Sequence, residues 1–175
     1  MGTLPEELQP RNVCERRESK EDEQYIIFFG KDSPLSNFYH AEFTINGKKY
    51  LSVEQYFVYN KAMLAKAPKL ASEILNVEDP KKIKRMGKSI KLEEAFWITH
   101  GSSVMEEGLR AKFQQNQALR DILVETCGHI LVEGSRDRFW GCGHHLYSKE
   151  AIDRTRWEGE NKLGEMLRQL RAEFA

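Results

Sequence analysis

The sequence has no run of about 18 apolar residues, so no segment of it reads as a membrane-spanning helix. It is poor in cysteine: Cys14, Cys127 and Cys142 are odd in number, widely separated and without a C-x-x-C pair. That argues against a disulfide framework and fits free thiols in a reducing compartment. Cys142 with His144 and His145 matches no standard metal spacing and reads as a polar loop. Neither sign of charge is in surplus, Lys+Arg and Asp+Glu each counting 27, so no global positive field gathers a polyanion without regard to sequence. The first residues are acidic and polar, unlike a charged head followed by an apolar leader, and a cytoplasmic or nuclear protein is expected. Internal repeats and low-complexity tracts are missing as well.

What is present suits one globular core: 175 residues, 40% apolar and 31% charged. Residues 1–24 are crowded with Glu, Arg, Lys and Asp and bury too little to offset their ordering entropy, so a disordered extension is expected there and a single domain over 25–175. Tyr25 to Phe29 (YIIFF) reads as a buried strand ended by Gly30. Ala41 to Ile45 and Lys48 to Leu51 flank Asn46-Gly47, the turn of a hairpin. Ser52-x-x-Gln55 is a capping box that opens a helix to about Lys66. Asp79-Pro80 starts a basic helix near Lys81 to Lys88. A longer helix with Met105, Leu109 and Phe113 on one face ends near Gln115, and another runs from Asn116 to Thr126. His129 to Glu133 is a strand, Gly134 to Gly159 a long irregular stretch, and Leu163, Met166, Leu167, Leu170 and Phe174 recur at helical spacing. The expected fold is α+β, a single compact mostly helical domain with a small antiparallel β component.

Four groups of polar residues sit at element ends, where a scaffold can aim them. In Leu35-Ser36-Asn37-Phe38 an amide and a ring stand ready for a base or sugar, although Ser-Asn is also a common turn pair. Glu54 and Lys61, seven residues apart, share one helix face, where their charges could meet in a pocket, although a solvated face or an acid suited to the positive helix end reads the same way. Arg110 and Lys112 offer a fork and a point charge for phosphate, and the run Lys81, Lys82, Lys84, Arg85 and Lys88 offers the same, while charge runs are commonly just solvated faces. Glu133 to Gly141, with Trp157 to Asn161 beyond it, brings carboxylates, glycines and Trp140 to a strand end, where an indole either stacks on a planar base or plugs the core.

Taken in order, SNF at Ser36 to Phe38, SVEQYFVYNKA at Ser52 to Ala62, MGK at Met86 to Lys88, LRAKFQQN at Leu109 to Asn116, LVE at Leu131 to Glu133, DRFWGCG at Asp137 to Gly143 and WEGENKLGEML at Trp157 to Leu167 resemble the NADAR family, over about Phe28 to Ala172. The sequence departs from the family pattern at Gln55, Val58 and Lys88, where histidine, glutamine and arginine are common.

The resemblance implies an N-glycosidase, acting on a phosphoribosylated aminopyrimidine of riboflavin synthesis or on ADP-ribose attached to guanine in nucleic acid. A noncatalytic NAD- or ADP-ribose-binding module is the rival from another class. By matching position, Glu54 and Asp137 are the two acids and Lys61 the catalytic lysine. Asn37, Phe38, Glu133, Trp140, Gly141 and Asn161 would bind substrate, with Arg110 and Lys112 on phosphate. Cleaving such a bond builds positive charge on the sugar, which a carboxylate stabilises while a donor helps the base leave. That chemistry calls for no metal and no redox cofactor, and both acids should face one sugar-sized cavity.

Overall fold

The computed structural model describes residues 14–18 along the main chain and residues 23–175 in full. It is α+β and mostly helical. In chain order the elements are β1 (Cys14–Glu18), β2 (Gln24–Phe28), β3 (Phe43–Ile45), β4 (Lys48–Tyr50), α1 (Val53–Leu64), α2 (Pro68–Ile74), α3 (Pro80–Lys88), α4 (Glu94–Gln115), α5 (Gln117–Glu125), β5 (Ile130–Glu133) and α6 (Lys162–Phe174). They gather into two compact units, one of the described residues up to Ser36 with Ala118–Ala175, the other of Asn37–Gln117.

The first unit is built on a mixed sheet in the order β1-β2-β5. β1 runs antiparallel to β2, and β2 pairs in parallel with β5, from Tyr25 opposite Ile130 to Phe28 opposite Glu133. Tyr25, Ile26, Ile27 and Phe28 are all buried, the continuous apolar run of a strand covered on both faces. A parallel pair needs a long crossover, and here the connection from β2 to β5 contains the whole of the second unit. Tyr25, Ile27 and Val132 pack with Cys142, Leu146 and Ala151. Trp157 closes that core, its indole N–H donating to the Ala151 carbonyl at 3.1 Å.

In the second unit Asn46 and Gly47 both take positive φ, 52° and 75°, as the tight β3–β4 turn demands. Phe43, Tyr50, Tyr56 and Tyr59 form an aromatic cluster with centroids 4.8–6.0 Å apart, and Tyr56 donates to Glu107 at 2.6 Å. Val58, Ala62, Ala71, Ile74, Ile83 and Ile90 make a further core. Two helical glycines let backbones approach: a Cβ on Gly108 would stand 2.9 Å from the Tyr56 ring, and one on Gly87 would stand 3.1 Å from both Val58 methyls.

Strands β2 and β5, the hairpin and five helices lie where the sequence pattern puts them. Helix α2 does not figure in that pattern: it has seven residues, and its N-cap, Ala67, supplies no side-chain hydrogen bond, so neither periodicity nor capping announces it. The antiparallel component is joined by the parallel β2–β5 pair. Most of the expected 1–24 extension lies outside the described residues; within it, Cys14–Glu18 is strand β1.

The stretch from Gly134 to Gly159 is held by main-chain bonds, with Cys142 N donating to Glu133 O, Gly159 N to Cys142 O and Asn161 N to Gly141 O. It also carries two single 3-10 turns, Glu150–Ile152 and Arg154–Arg156.

Gly164 in α6 gives a test of this packing. Alanine for glycine inside a helix ordinarily stabilises by about 1 kcal/mol. A Cβ at 164 would instead lie 2.1 Å from the Leu131 carbonyl oxygen and 2.5 Å from the Asn161 amide. Gly164→Ala should therefore destabilise the protein by about 1–3 kcal/mol, read as a lower urea midpoint; an equal or higher midpoint would refute the close contact.

Candidate active site

Helix α1 begins with a capped turn that aims a carboxylate. Ser52 Oγ accepts from Gln55 N at 3.1 Å, and Gln55 Oε1 accepts from Leu51 N at 2.8 Å. The Gln55 amide also donates to the carbonyls of Ile74 and Val77, at 3.1 and 3.0 Å. Between these caps stands Glu54, 5% exposed. Asn37 holds it twice: its Nδ2 donates to Glu54 Oε2 at 2.6 Å, and its carbonyl accepts from Glu54 N at 2.9 Å. The positive end of the helix supports the buried charge as well.

Two turns along the same face, Lys61 Nζ donates to the Gly87 carbonyl at 3.0 Å and sits 5.6 Å from the centre of the Trp97 ring. Burial holds its pKa below the ordinary lysine value, and the Glu54 charge pulls the other way. Phe57 packs on Trp97, centroids 4.9 Å apart. Phe38, next to Asn37, carries Lys84 Nζ 5.6 Å from its ring centre. A buried anion in the first turn of α1 and a partly desolvated ammonium in its last turn thus feel each other's charge, with Trp97 beside the ammonium and Phe38 beside the residue that holds the anion.

The two cations of α4 lie on different sides of the helix. Two residues apart on a helix, Arg110 and Lys112 point about 200° apart. Arg110 lies against Glu106 at 3.4 Å on the outer face. Lys112 is 0% exposed, its Nζ 5.5 Å from the Tyr39 ring centre and 4.9 Å from that of Phe113. Desolvation pushes its pKa down to about 7. Lys112 is a buried residue of this unit, on the side of α4 away from Arg110.

In the other unit, the end of β5 carries the remaining candidates. Glu133 is buried, its carbonyl accepting from the N–H groups of Ser135 and Cys142. Asp137 Oδ1 accepts from Phe139 N at 2.9 Å and Trp140 N at 2.7 Å, a side-chain turn that fixes the start of the DRFWG segment. The half-buried Trp140 ring meets Phe139 edge-on, centroids 4.7 Å apart. Gly141 has no room for a side chain, since a Cβ would stand 2.2 Å from Ser135 Oγ. Asn161, with φ at 49°, uses its amide on the main chain, accepting from Glu133 N and donating to Leu131 O, both at 2.9 Å. Its amide ties β5 to the start of α6, which accounts for an asparagine here without a substrate.

Asn37, Phe38, Glu54, Lys61, Arg110 and Lys112 thus belong to one unit, and Glu133, Asp137, Trp140, Gly141 and Asn161 to the other. Sequence reasoning missed Trp97 and the Gly87 carbonyl. Trp97 lies in the exposed first turns of α4, where no buried periodicity marks it, and a main-chain acceptor leaves no trace in residue type. Among the described residues no group of three or more His, Cys, Asp and Glu side chains is placed to hold a metal ion, and no helix is long and apolar enough to cross a membrane.

The family model for the NADAR domain matches residues 27–175. The chain is similar to "Protein irg-1" of Caenorhabditis elegans, 32% identical over 168 residues that cover 86% of this chain and 79% of that one. It is similar to "N-glycosidase YbiA" of Escherichia coli, 33% identical over 143 residues and 81% of each chain. The NMR structure of the E. coli protein YbiA superposes with a TM-score of 0.68 at 28% identity, covering 95% of this chain and 91% of that one. The maize "Riboflavin biosynthesis protein PYRR, chloroplastic" is 30% identical over 132 residues, 70% of this chain and 19% of that protein.

The buried Lys112 predicts a pH dependence of stability. Its folded pKa is about 7 against 10.5 for the free side chain, so between those values the unfolded chain binds the extra proton and stability rises with pH. The cost of burying the ammonium is full below pH 7 and is relieved on the way to 10.5. Urea melts from pH 7 to 10 should show a rise at least about 1.4 kcal/mol steeper in the wild type than in Lys112→Met, the equivalent of one pKa unit. Parallel profiles for the two proteins would contradict it.

Proposed function

The chain belongs to the NADAR family and is an N-glycosidase, and we propose that the bond it hydrolyses joins ribose to the base of a phosphoribosylated aminopyrimidine intermediate of riboflavin synthesis. The observation that carries this reading is Glu54, a buried carboxylate gripped at its side chain and its main chain by Asn37, with Lys61 on the same helix face. The name of the maize relative supports the substrate class. A second reading, removal of ADP-ribose from guanine in a nucleic acid, finds in the cations of α3 a counter-charge for the diphosphate of ADP-ribose.

As the C1′–N bond breaks, its electron pair moves to the base nitrogen and positive charge grows on the sugar ring. Glu54 is the anion that stabilises this charge, and it takes a proton from the water that adds to C1′. Lys61 gives its proton to the departing nitrogen. A lysine whose ammonium form is disfavoured by burial is a stronger acid than one in water, and suits proton transfer nearer neutral pH. Asn37 keeps the carboxylate in one orientation, so little reorganisation accompanies the charge change. The products are a sugar with a free anomeric hydroxyl and the protonated base.

Incubation with a 5′-phosphoribosyl aminopyrimidine and, separately, with an ADP-ribosylated guanine oligonucleotide, followed by mass spectrometry of the freed species, separates the two substrates. Release of ribose 5-phosphate from the first is expected; cleavage of the second alone would replace it. Glu54→Gln should lower turnover at least about tenfold with the thermal midpoint within a few degrees, and undiminished turnover would remove Glu54 from the reaction. Asp137→Asn keeps the oxygen that the Phe139 and Trp140 N–H groups need. A drop of similar size in that variant would trace to the lost charge, and unchanged turnover would confine Asp137 to its turn.

The Glu54–Lys61 coupling has its own readout. Glu54 raises the Lys61 pKa, so Glu54→Gln should move the Lys61 titration further down, observed by side-chain NMR. An upward shift would show that the two do not share a field.

A further inference from the structure

Helix α3 carries Lys81, Lys84, Arg85 and Lys88, all exposed. At 3.6 residues per turn these four fall within an arc of about 100° and a length of about 10 Å. Ile83 and Gly87 fill the opposite, buried side. Among the described residues none of the four has an ion-pair partner. The charge is balanced over the sequence as a whole but not here.

The stripe is fixed beside the Glu54 region by three contacts. Gly87 approaches Val58 so closely that a Cβ would stand 3.1 Å from both its methyls, which seats α3 on α1. The Gly87 carbonyl receives Lys61 at 3.0 Å. Lys84, about 60° round the helix from Gly87, lies over the ring of Phe38, whose neighbour Asn37 holds Glu54. Lys84 is therefore the cation at the edge of the stripe that borders the acid.

The geometry points to α3, with Lys84 foremost and Lys88 beside it, as the element that holds the phosphate of the substrate while Glu54 acts on the sugar. Point charges on flexible stems suit a phosphate that arrives as part of different molecules. A stripe about 10 Å long spans one phosphate ester or a diphosphate; it is short for a nucleic-acid backbone, which neutral proteins do not gather nonspecifically. The assignment deepens the N-glycosidase reading and rests on it for its place in catalysis.

The test titrates inorganic pyrophosphate into the full chain, followed by amide NMR shifts, for the wild type, Lys84→Gln, Lys84→Arg and Arg110→Gln. Expected are shifts centred on α3, binding at least about fivefold weaker in Lys84→Gln, largely restored in Lys84→Arg and unchanged in Arg110→Gln. Absence of wild-type binding, or loss in Arg110→Gln alone, overturns the assignment. So does a single-stranded DNA oligonucleotide that binds α3 more tightly than pyrophosphate does, since it would give the stripe to a nucleic acid. In the hydrolysis assay Lys84→Gln should raise KM at least about fivefold for a phosphorylated N-riboside, with kcat and the unphosphorylated riboside little changed. Binding is read without turnover, so a chain that binds but does not hydrolyse refutes the reaction alone. Hydrolysis with KM unchanged in Lys84→Gln refutes the phosphate site alone.

Discussion

A carboxylate 5% exposed cannot keep its charge without partners, because removing it from water costs several kcal/mol unless hydrogen bonds and favourable dipoles replace the solvent. Glu54 meets that demand in a specific way. Its place in the first turn of α1 lends it the positive helix end, and the Asn37 amide replaces a water at Oε2. The Asn37 carbonyl, bound to Glu54 N, prevents the loop from sliding relative to the helix. The cap at Ser52, the loop before the hairpin and the first turn of α1 thus satisfy one constraint together.

Residues that only support this arrangement are easily mistaken for chemistry. Gln55 occupies a position where the family pattern commonly has histidine, which invites a substrate-specificity reading. Here both ends of its amide are spent: the oxygen caps Leu51 N, and the nitrogen ties down the carbonyls of Ile74 and Val77. A neutral imidazole has one donor and one acceptor and matches part of that pattern at most. Position 55 therefore governs how the segment after α2 is moored to α1, and reaches the chemistry through the placement of its neighbour.

Much of the fold was legible because local rules and tertiary packing agree. Asn46-Gly47, Ser52-x-x-Gln55 and Asp79-Pro80 each state their geometry in residue type, and each turns or starts the chain as read, with the Gln55 amide reaching one residue further back, to Leu51 N. Helix α2 and the parallel partnership of β2 and β5 were not legible. The first has no side-chain cap, and the second joins strands about a hundred residues apart, with nothing in either strand to name its partner. That Glu54 and Lys61 share a face of α1 was legible from helical spacing, whereas Trp97 and the Gly87 carbonyl beside Lys61 were not. The main-chain bonds of the Asn161 amide, to Glu133 N and Leu131 O, were not legible, since residue type does not name a main-chain partner.

The cations show why adjacency in sequence misleads about shared function. Arg110 and Lys112 look like one fork, yet a helix turns about 200° over two residues and sends one outward and the other into aromatic surroundings. Burial there lowers the pKa of Lys112 to about 7, whereas the α3 cations stay in water. Lys81, Lys84, Arg85 and Lys88 look like an undirected run, yet at intervals of three and four they share a face. A charge acts through where the backbone period sends it and through how much water it keeps. By both criteria α3 is the better source of positive field, and Phe38 beneath Lys84 links that field to the loop that holds the acid.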